Sequence, residues 1–283
     1  MAKLTSPIKI KGTLGGLTFF NLSNDEETIV REKGKTGVKT SRFMTDPVFT
    51  NARNHGKEWG EASRFARILC RLGKHFFDHA KEGSFAGRAN KLMFDVMQYD
   101  TINARGSRSV VSGLQTQNGK EELIGFEGNR NRPLPQVLIT KYKLINDQLT
   151  IVFHDTSQEL NWPENATHAH FAMATAFWNP AMGHRFIMLS NEEVVTPSQK
   201  TVITLHPIQQ ETNQEQMTAD PADSLKIHFL FIGFAILTNK NYKLLHRKYN
   251  TATIIACDGI TEKSVGLPLP EVNFFFSTPP NSL

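Results

Sequence analysis

The segment 225–237 is the feature that most limits how this chain of 283 residues can fold. A strand directs successive side chains to opposite faces of its sheet, so a half-buried strand alternates apolar and polar residues. The segment 225–237 is apolar on both faces instead. Both faces must therefore be buried, by the chain's own helices or by another subunit, because an exposed apolar patch as large as this strand aggregates. One face carries Ile227, Phe229 and Phe231, and the other carries Leu230, Ile232, Phe234 and Ile236. The run Phe274, Phe275 and Phe276 has the same two-sided character.

Residues 134–283 are predicted to form an antiparallel β-sandwich of the Ig-like type. Apolar runs separated by turn residues are typical of such sandwiches. With helices predicted ahead of these strands, the expected fold class is α+β. The predicted strands are 137–144, 149–153, 169–178, 186–189, 201–205, 225–237, 252–256 and 272–276.

Residues 1–45 are predicted to form an extended, basic arm that contains a β-hairpin. Glycines at positions 12, 15 and 16 interrupt any helix here. The apolar run 17–20, a polar stretch and the run 28–31 predict two strands joined by a turn. The following basic residues 33–42 include few side chains suited to a core.

Residues 46–104 are predicted to form a helical segment. Asp46 suits a helix N-cap and Pro47 suits the first helical position. Apolar residues then recur at steps of three and four, which predicts amphipathic helices over about 47–79 and about 86–104.

Glycines weaken the first predicted helix, and a glycine-rich segment follows the second. Gly60 and Gly73 weaken the first helix and are places where it bends or breaks. Residues 105–133 are rich in Gly, Ser, Asn and Arg, and they are predicted to form a linker or a long surface loop before the sandwich.

Positive charge is concentrated in the first 110 residues. The chain has a net charge of +5, but residues 1–110 carry 19 Lys and Arg against 11 Asp and Glu, a net +8, and the remainder carries 13 against 16, a net −3. The basic surface predicted on the first helix fits nucleic acid or the acidic surface of a neighbouring protein. It comprises Arg53, Lys57, Arg64, Arg67, Arg71 and Lys74.

The sequence contains no strong catalytic motif, and no cofactor is expected. His168 and His170 are two apart in a predicted strand, so they project from one face and form the best candidate for a metal site. His154 on a neighbouring strand is a third candidate ligand. Because no carboxylate or cysteine lies at a matching spacing, a structural role for these histidines is favoured. Cys70 and Cys257 are expected to be free thiols.

Targeting signals are not apparent in the sequence. Residues 1–7 lack the apolar stretch of a signal peptide, and the run 225–237 is shorter than the roughly 20 residues that span a bilayer. We therefore expect a protein that is cytoplasmic as synthesised and has no membrane span.

Several short segments near the start of the chain share a pattern with known sequences. They are residues 10–17 (IKGTLGGL), 29–34 (IVREKG), the helix start at 46–47, 51–53 (NAR) and 62–65 (ASRF). Here the chain resembles a family of uncharacterised Bacteroidetes proteins with a domain of unknown function. The resemblance is specific over about the first 70 residues. It implies a glycine-rich β start, a basic helix and a β-sandwich-like C-terminal half, and it implies no chemistry.

Together these patterns predict a non-enzymatic structural subunit that self-assembles or docks in a larger particle, filament or phage-like machine. We expect the arm to add a strand to a neighbour's sheet edge. Two alternatives remain: a nucleic-acid-binding protein that uses the basic arm and helix, and a metal-site protein that uses the histidines. The expected assembly interface comprises Leu17, Phe19, Phe20, Phe229, Phe231, Phe234, Phe274, Phe275 and Phe276.

Overall fold

The computed structural model describes residues 2–4, 12–21, 28–32, 40–208, 224–238 and 241–259. Helices and antiparallel sheets both contribute to the described residues, so the predicted α+β class is confirmed. The chain divides into two compact units, Met1–Asn54 and His55–Leu283.

The first unit contains a four-stranded antiparallel sheet. Its strands are β1 (Ala2–Leu4), β2 (Gly12–Leu14), β3 (Leu17–Asn21) and β4 (Thr28–Glu32). They lie in the order β1-β4-β3-β2, so the two runs that predicted a hairpin are neighbouring strands. The short helix α1 (Thr40–Thr45) and a 3-10 turn (Pro47–Phe49) follow, and Asp46 caps that turn by accepting a hydrogen bond from the N–H of Val48.

Helices dominate the chain up to residue 121. They are α2 (Thr50–Leu72), α3 (Lys74–Ala80), α4 (Phe85–Gln98), α5 (Val110–Gln115) and α6 (Gln117–Glu121). The predicted helix over 47–79 is interrupted at Gly73. A Cβ at this position would overlap the ring of Phe77 and come within 2.9 Å of the ring of Phe229. Only glycine therefore permits this close approach without a shift of its neighbours.

The segment 105–133, predicted as a linker or a long surface loop, is partly helical and partly buried. This segment contains α5 and α6, and Val110, Leu114 and Leu123 are buried in the same core as the longer helices. Its glycines explain the error, because a Cβ on Gly113 would collide with the backbone carbonyl of Val96 in α4. A composition that is typical of loops here allows two helices to pack backbone to backbone.

The described residues after 121 include two sheets, two short helices, α7 (Leu134–Val137) and α8 (Thr156–Glu159), and a 3-10 turn (Arg247–Tyr249). The strands are β5 (Tyr142–Ile145), β6 (Gln148–Phe153), β7 (His168–Trp178), β8 (Arg185–Val195), β9 (Thr201–Leu205), β10 (Pro207–Ile208), β11 (Leu225–Thr238), β12 (Asn241–Leu244) and β13 (Thr251–Asp258). The small sheet has the order β5-β6-β9. The large sheet has the order β10-β8-β7-β11-β12, and β13 also pairs with β11.

The large sheet lies between two layers of the same chain. On one face, side chains of α2 to α5 share a core with Phe229 and Phe231 of β11. On the other face, side chains of β6 and β9 share a second core with Leu230, Ile232 and Phe234 of β11. Both faces of the two-sided apolar strand are therefore covered from within the chain.

This cover corrects part of the expected assembly interface. Phe229 and Phe234 are fully buried and Phe231 is 6% exposed, so none of them is available to a second subunit in this fold. Their apolar character serves two internal cores instead. The other two-sided run, Phe274, Phe275 and Phe276, and the strand predicted at 272–276 lie outside the described residues.

Candidate functional site

The four-stranded sheet of the first unit holds the remaining predicted interface residues. Leu17 is 41% exposed, and Phe19 and Phe20 are half-buried. Because neighbouring strand residues point to opposite faces, the two phenylalanines lie on different faces of this sheet. The guanidinium of Arg31 lies 5.4 Å from the ring centroid of Phe20. The sheet thus presents apolar and aromatic surface on both faces.

Strand β2 forms an edge of this sheet, and among the described residues it pairs only with β3. A two-residue turn joins the strands, and its Gly15 has a φ of 57°, which glycine adopts without strain. Leu14 and Leu17 flank the turn as a hydrogen-bonded pair. Because hydrogen-bonded and non-hydrogen-bonded pairs alternate along antiparallel strands, the next pair, Thr13 and Thr18, is non-hydrogen-bonded. The N–H and C=O of Thr13 therefore point outward along the open edge, beside Leu14, which is 74% exposed.

The predicted basic surface is an exposed face of α2 and α3. Lys57, Arg64, Arg67 and Arg71 are exposed on α2, and Lys74 is exposed at the start of α3. None of these five forms an ion pair with the described residues.

Arg53 departs from this prediction. Its side chain is half-buried, and its Nη1 donates hydrogen bonds to the carbonyl oxygens of Phe43 and Asp46, while its Nη2 donates to the Thr50 hydroxyl. It braces the chain before α2 and is not part of the open basic face. The partner carbonyls lie in α1 (Phe43) and at the cap of the 3-10 turn (Asp46), and helical spacing within α2 does not reveal them.

The two histidines of β7 lie side by side, as their spacing predicts, but His154 does not join them. Both rings pack edge-on against Tyr242, with centroids 4.9 Å (His168) and 4.8 Å (His170) away. His170 Nδ1 lies 2.5 Å from a carboxylate oxygen of Glu192. No set of three His, Cys, Asp or Glu side chains in the described ranges is arranged to hold a metal ion. The pair packs with an aromatic ring and a carboxylate.

A polar contact between the two sheets was missed by the sequence analysis. Asp147, in the turn between β5 and β6, accepts two hydrogen bonds of 2.8 Å from Lys226 Nζ and lies 3.4 Å from His228 Nε2. Burial lowers the pKa of His228, although Asp147 and Asp258 oppose that shift. The sequence feature that could have predicted this contact is that Lys226 and His228 are polar residues within an apolar strand and lie on the same face.

Glu127 is a second group that the sequence analysis did not identify. Its Oε1 accepts a hydrogen bond of 2.9 Å from the N–H of Leu134, and its buried Oε2 has no partner among the described residues. Burial raises its pKa to about 7. It borders an open pocket of about 250 Å³ whose lining includes Arg88 and Arg130. This carboxyl changes charge near neutral pH.

No family model matches the chain, and the search of curated proteins found no match. None of the helices in the described part of the chain is long and apolar enough to cross a bilayer.

Proposed function

We propose that this protein is a non-enzymatic structural subunit that assembles with further copies of itself through the sheet of its first unit. The open edge of β2, with the outward N–H and C=O of Thr13 beside exposed Leu14, carries this proposal. An edge strand with unpaired backbone groups is a template for strand addition from another chain.

The composition of β2 supports pairing rather than protection. Natural edges are commonly blunted by lysine, proline, a bulge or a covering segment. Residues 12–14 include neither a charge nor a proline. In contrast, the edge of β13 is covered by residues 125–128, where the N–H groups of Gly125 and Gly128 donate to the carbonyls of Ile254 and Ala252. Among the described residues, the edge of β13 is therefore covered and the edge of β2 is not.

Charge supports a head-to-tail arrangement of copies. Residues 1–110 carry a net +8 and the rest of the chain a net −3, so the basic part of one copy attracts the acidic part of the next. Repeated contacts of this kind close into rings or extend into filaments. The proposed contact uses Leu17, Phe19 and Phe20 of the original prediction and no longer uses the strand β11.

The Ig-like description of the sandwich also remains a proposal. Two antiparallel sheets that share one core support a sandwich, and the helical layer on the outer face of the large sheet is an addition to the Ig-like plan.

The test is the solution mass of full-length protein by size-exclusion chromatography with light scattering. The chain mass is 31.9 kDa, and we expect native protein to elute as multiples of it. Thr13→Pro removes the outward N–H while the bonded pair at the turn is kept, so we expect monomers. Thr13→Val keeps the N–H and is expected to assemble like the native chain.

A second variant covers the case in which Thr13→Pro disturbs the hairpin itself. Deletion of residues 1–45 is expected to leave a folded monomer with the helical circular dichroism of the native protein. The proposal fails if native protein is a monomer at all concentrations, or if both altered chains retain the native assembly mass.

A further inference from the structure

We propose that the exposed face of α2 binds the phosphate backbone of double-stranded nucleic acid without regard to sequence. This inference rests on a different surface from the open edge of β2, although the cations of α2 also contribute to the +8 charge of residues 1–110. It depends on the arrangement of Lys57, Arg64, Arg67 and Arg71 on one helix.

The four side chains lie on a narrow arc of α2. At 100° per residue, Lys57, Arg64, Arg67 and Arg71 fall within about 80° of one another. Between positions 53 and 71, the other residues on that arc are Arg53 and Gly60. Every side chain on the arc is therefore basic, and the glycine between them leaves the helix backbone open to close approach.

The acidic residues of α2 lie outside this arc and make hydrogen bonds to other parts of the chain. Glu58 is buried, and its two oxygens accept hydrogen bonds of 2.8 Å and 2.7 Å from Arg108. Glu61 accepts a hydrogen bond from the N–H of Val110. The helix thus directs its negative charge toward the loop before α5 and its positive charge toward solvent.

The shape and composition of the face favour nucleic acid over an acidic protein. From Lys57 to Arg71 the helix rises about 21 Å, and a duplex presents roughly 12 phosphates over that length. A specific protein interface has an apolar core, and this arc contains no apolar side chain. Positive charge without apolar contact is the pattern of phosphate recognition.

The experiment titrates full-length protein into a fluorescent 20-base-pair DNA duplex and measures anisotropy at two salt concentrations. If four cations contact phosphates, the affinity falls about 150-fold between 50 mM and 200 mM salt. The same titration with the Thr13→Pro chain separates this binding from assembly, because the face on α2 is unchanged there.

Two triple variants with the same charge change locate the surface. Arg64→Gln, Arg67→Gln and Arg71→Gln together are expected to weaken binding at 50 mM salt more than 30-fold and to reduce the salt effect to about fourfold, as for one remaining contact. The matched control replaces exposed Lys141, Lys143 and Lys200 by Gln and is expected to stay within threefold of the native protein.

Three results would overturn the proposal. The first is absence of duplex binding at 50 mM salt, and the second is equal weakening by the two triple variants. In the third, the arginine variant loses assembly mass without DNA, which would identify the acidic surface of a second copy as the partner. Matching unfolding curves for the two variants show that any difference arises at the surface.

Discussion

Replacing Phe229 by alanine distinguishes a core residue from an interface residue. The side chain is fully buried between the helical layer and the large sheet, and its ring meets that of Phe77 edge-on at a centroid distance of 5.7 Å. Truncation removes this contact and leaves a cavity that close-packed neighbours fill only in part. Phe→Ala changes at such sites cost about 3–5 kcal/mol, and the position of Phe229 at the junction of α3 and β11 suits a value of about 4 kcal/mol.

The loss is large relative to the whole. Domains are stable by about 5–15 kcal/mol, so about 4 kcal/mol removes roughly a quarter to four-fifths of the free energy of unfolding. For a chain of this size it lowers Tm by about 10 °C. Urea unfolding followed by tryptophan fluorescence measures this directly, because Trp178 is buried in the same core.

The control is Phe229→Leu, which keeps most of the volume and is expected to lose about 1–1.5 kcal/mol. Light scattering on the folded fraction of each variant is expected to give the native mass. If Phe229 were an interface residue, its truncation would change the assembly mass and have little effect on the free energy of unfolding. A loss below about 1 kcal/mol, together with a change in assembly mass, would refute the internal cover of β11.

Two further predictions concern packing and pH. Gly113→Ala is expected to cost about 2–3 kcal/mol in urea unfolding because the new methyl collides with the Val96 carbonyl, whereas Gly87→Ala, where the methyl meets no described atom within 4 Å, is expected to stabilise by up to about 1 kcal/mol. Equal effects of the two would contradict this packing. Glu127 has a folded-state pKa of about 7 against an ordinary value of 4.5, so its protonation favours the folded state and its contribution is lost as pH rises from about 4.5 to 7. Glu127→Gln is therefore expected to be more stable relative to native protein at pH 8 than at pH 5, and an identical difference at both pH values would count against the buried carboxyl.

The sequence predicted the strands and helices in which apolar residues recur at a regular strand or helix spacing. Leu149, Ile151 and Phe153 alternate with polar or exposed residues, and these three are the buried positions of β6. Phe65 and Leu69 recur at helical spacing, and both are buried on α2. In each case the neighbours along the chain determine which face is apolar, and the fold has only to cover that face.

Glycine marks where the prediction failed. Gly15 lies in the turn between β2 and β3, but Gly113 has a different role, because it lets α5 approach the backbone of α4. A missing Cβ permits both outcomes, and one sequence does not distinguish a turn from a close helix contact. The sequence of β11 leaves a similar ambiguity. Its pattern requires both faces of the strand to be buried, but it does not identify the elements that bury them.

The candidate surfaces were predictable to different degrees. Lys57, Arg64 and Arg71 recur every seven residues, and this spacing alone places them on one face. The retention of Arg53 by the carbonyls of Phe43 and Asp46 depends on how the preceding turn folds back. Every residue has a backbone carbonyl, so the sequence does not show which carbonyls accept hydrogen bonds from an arginine.

The position of β11 in the chain has a consequence for the order in which the protein folds during synthesis. The helices up to residue 121 need Phe229 and Phe231 to complete their core, and these residues follow about 100 positions later. At about 5–20 residues per second, the ribosome takes roughly 5–20 s to supply them. During that interval the apolar faces of Phe65, Leu69 and their neighbours lack their final cover, so we expect the nascent chain to expose apolar surface that chaperones bind until β11 emerges.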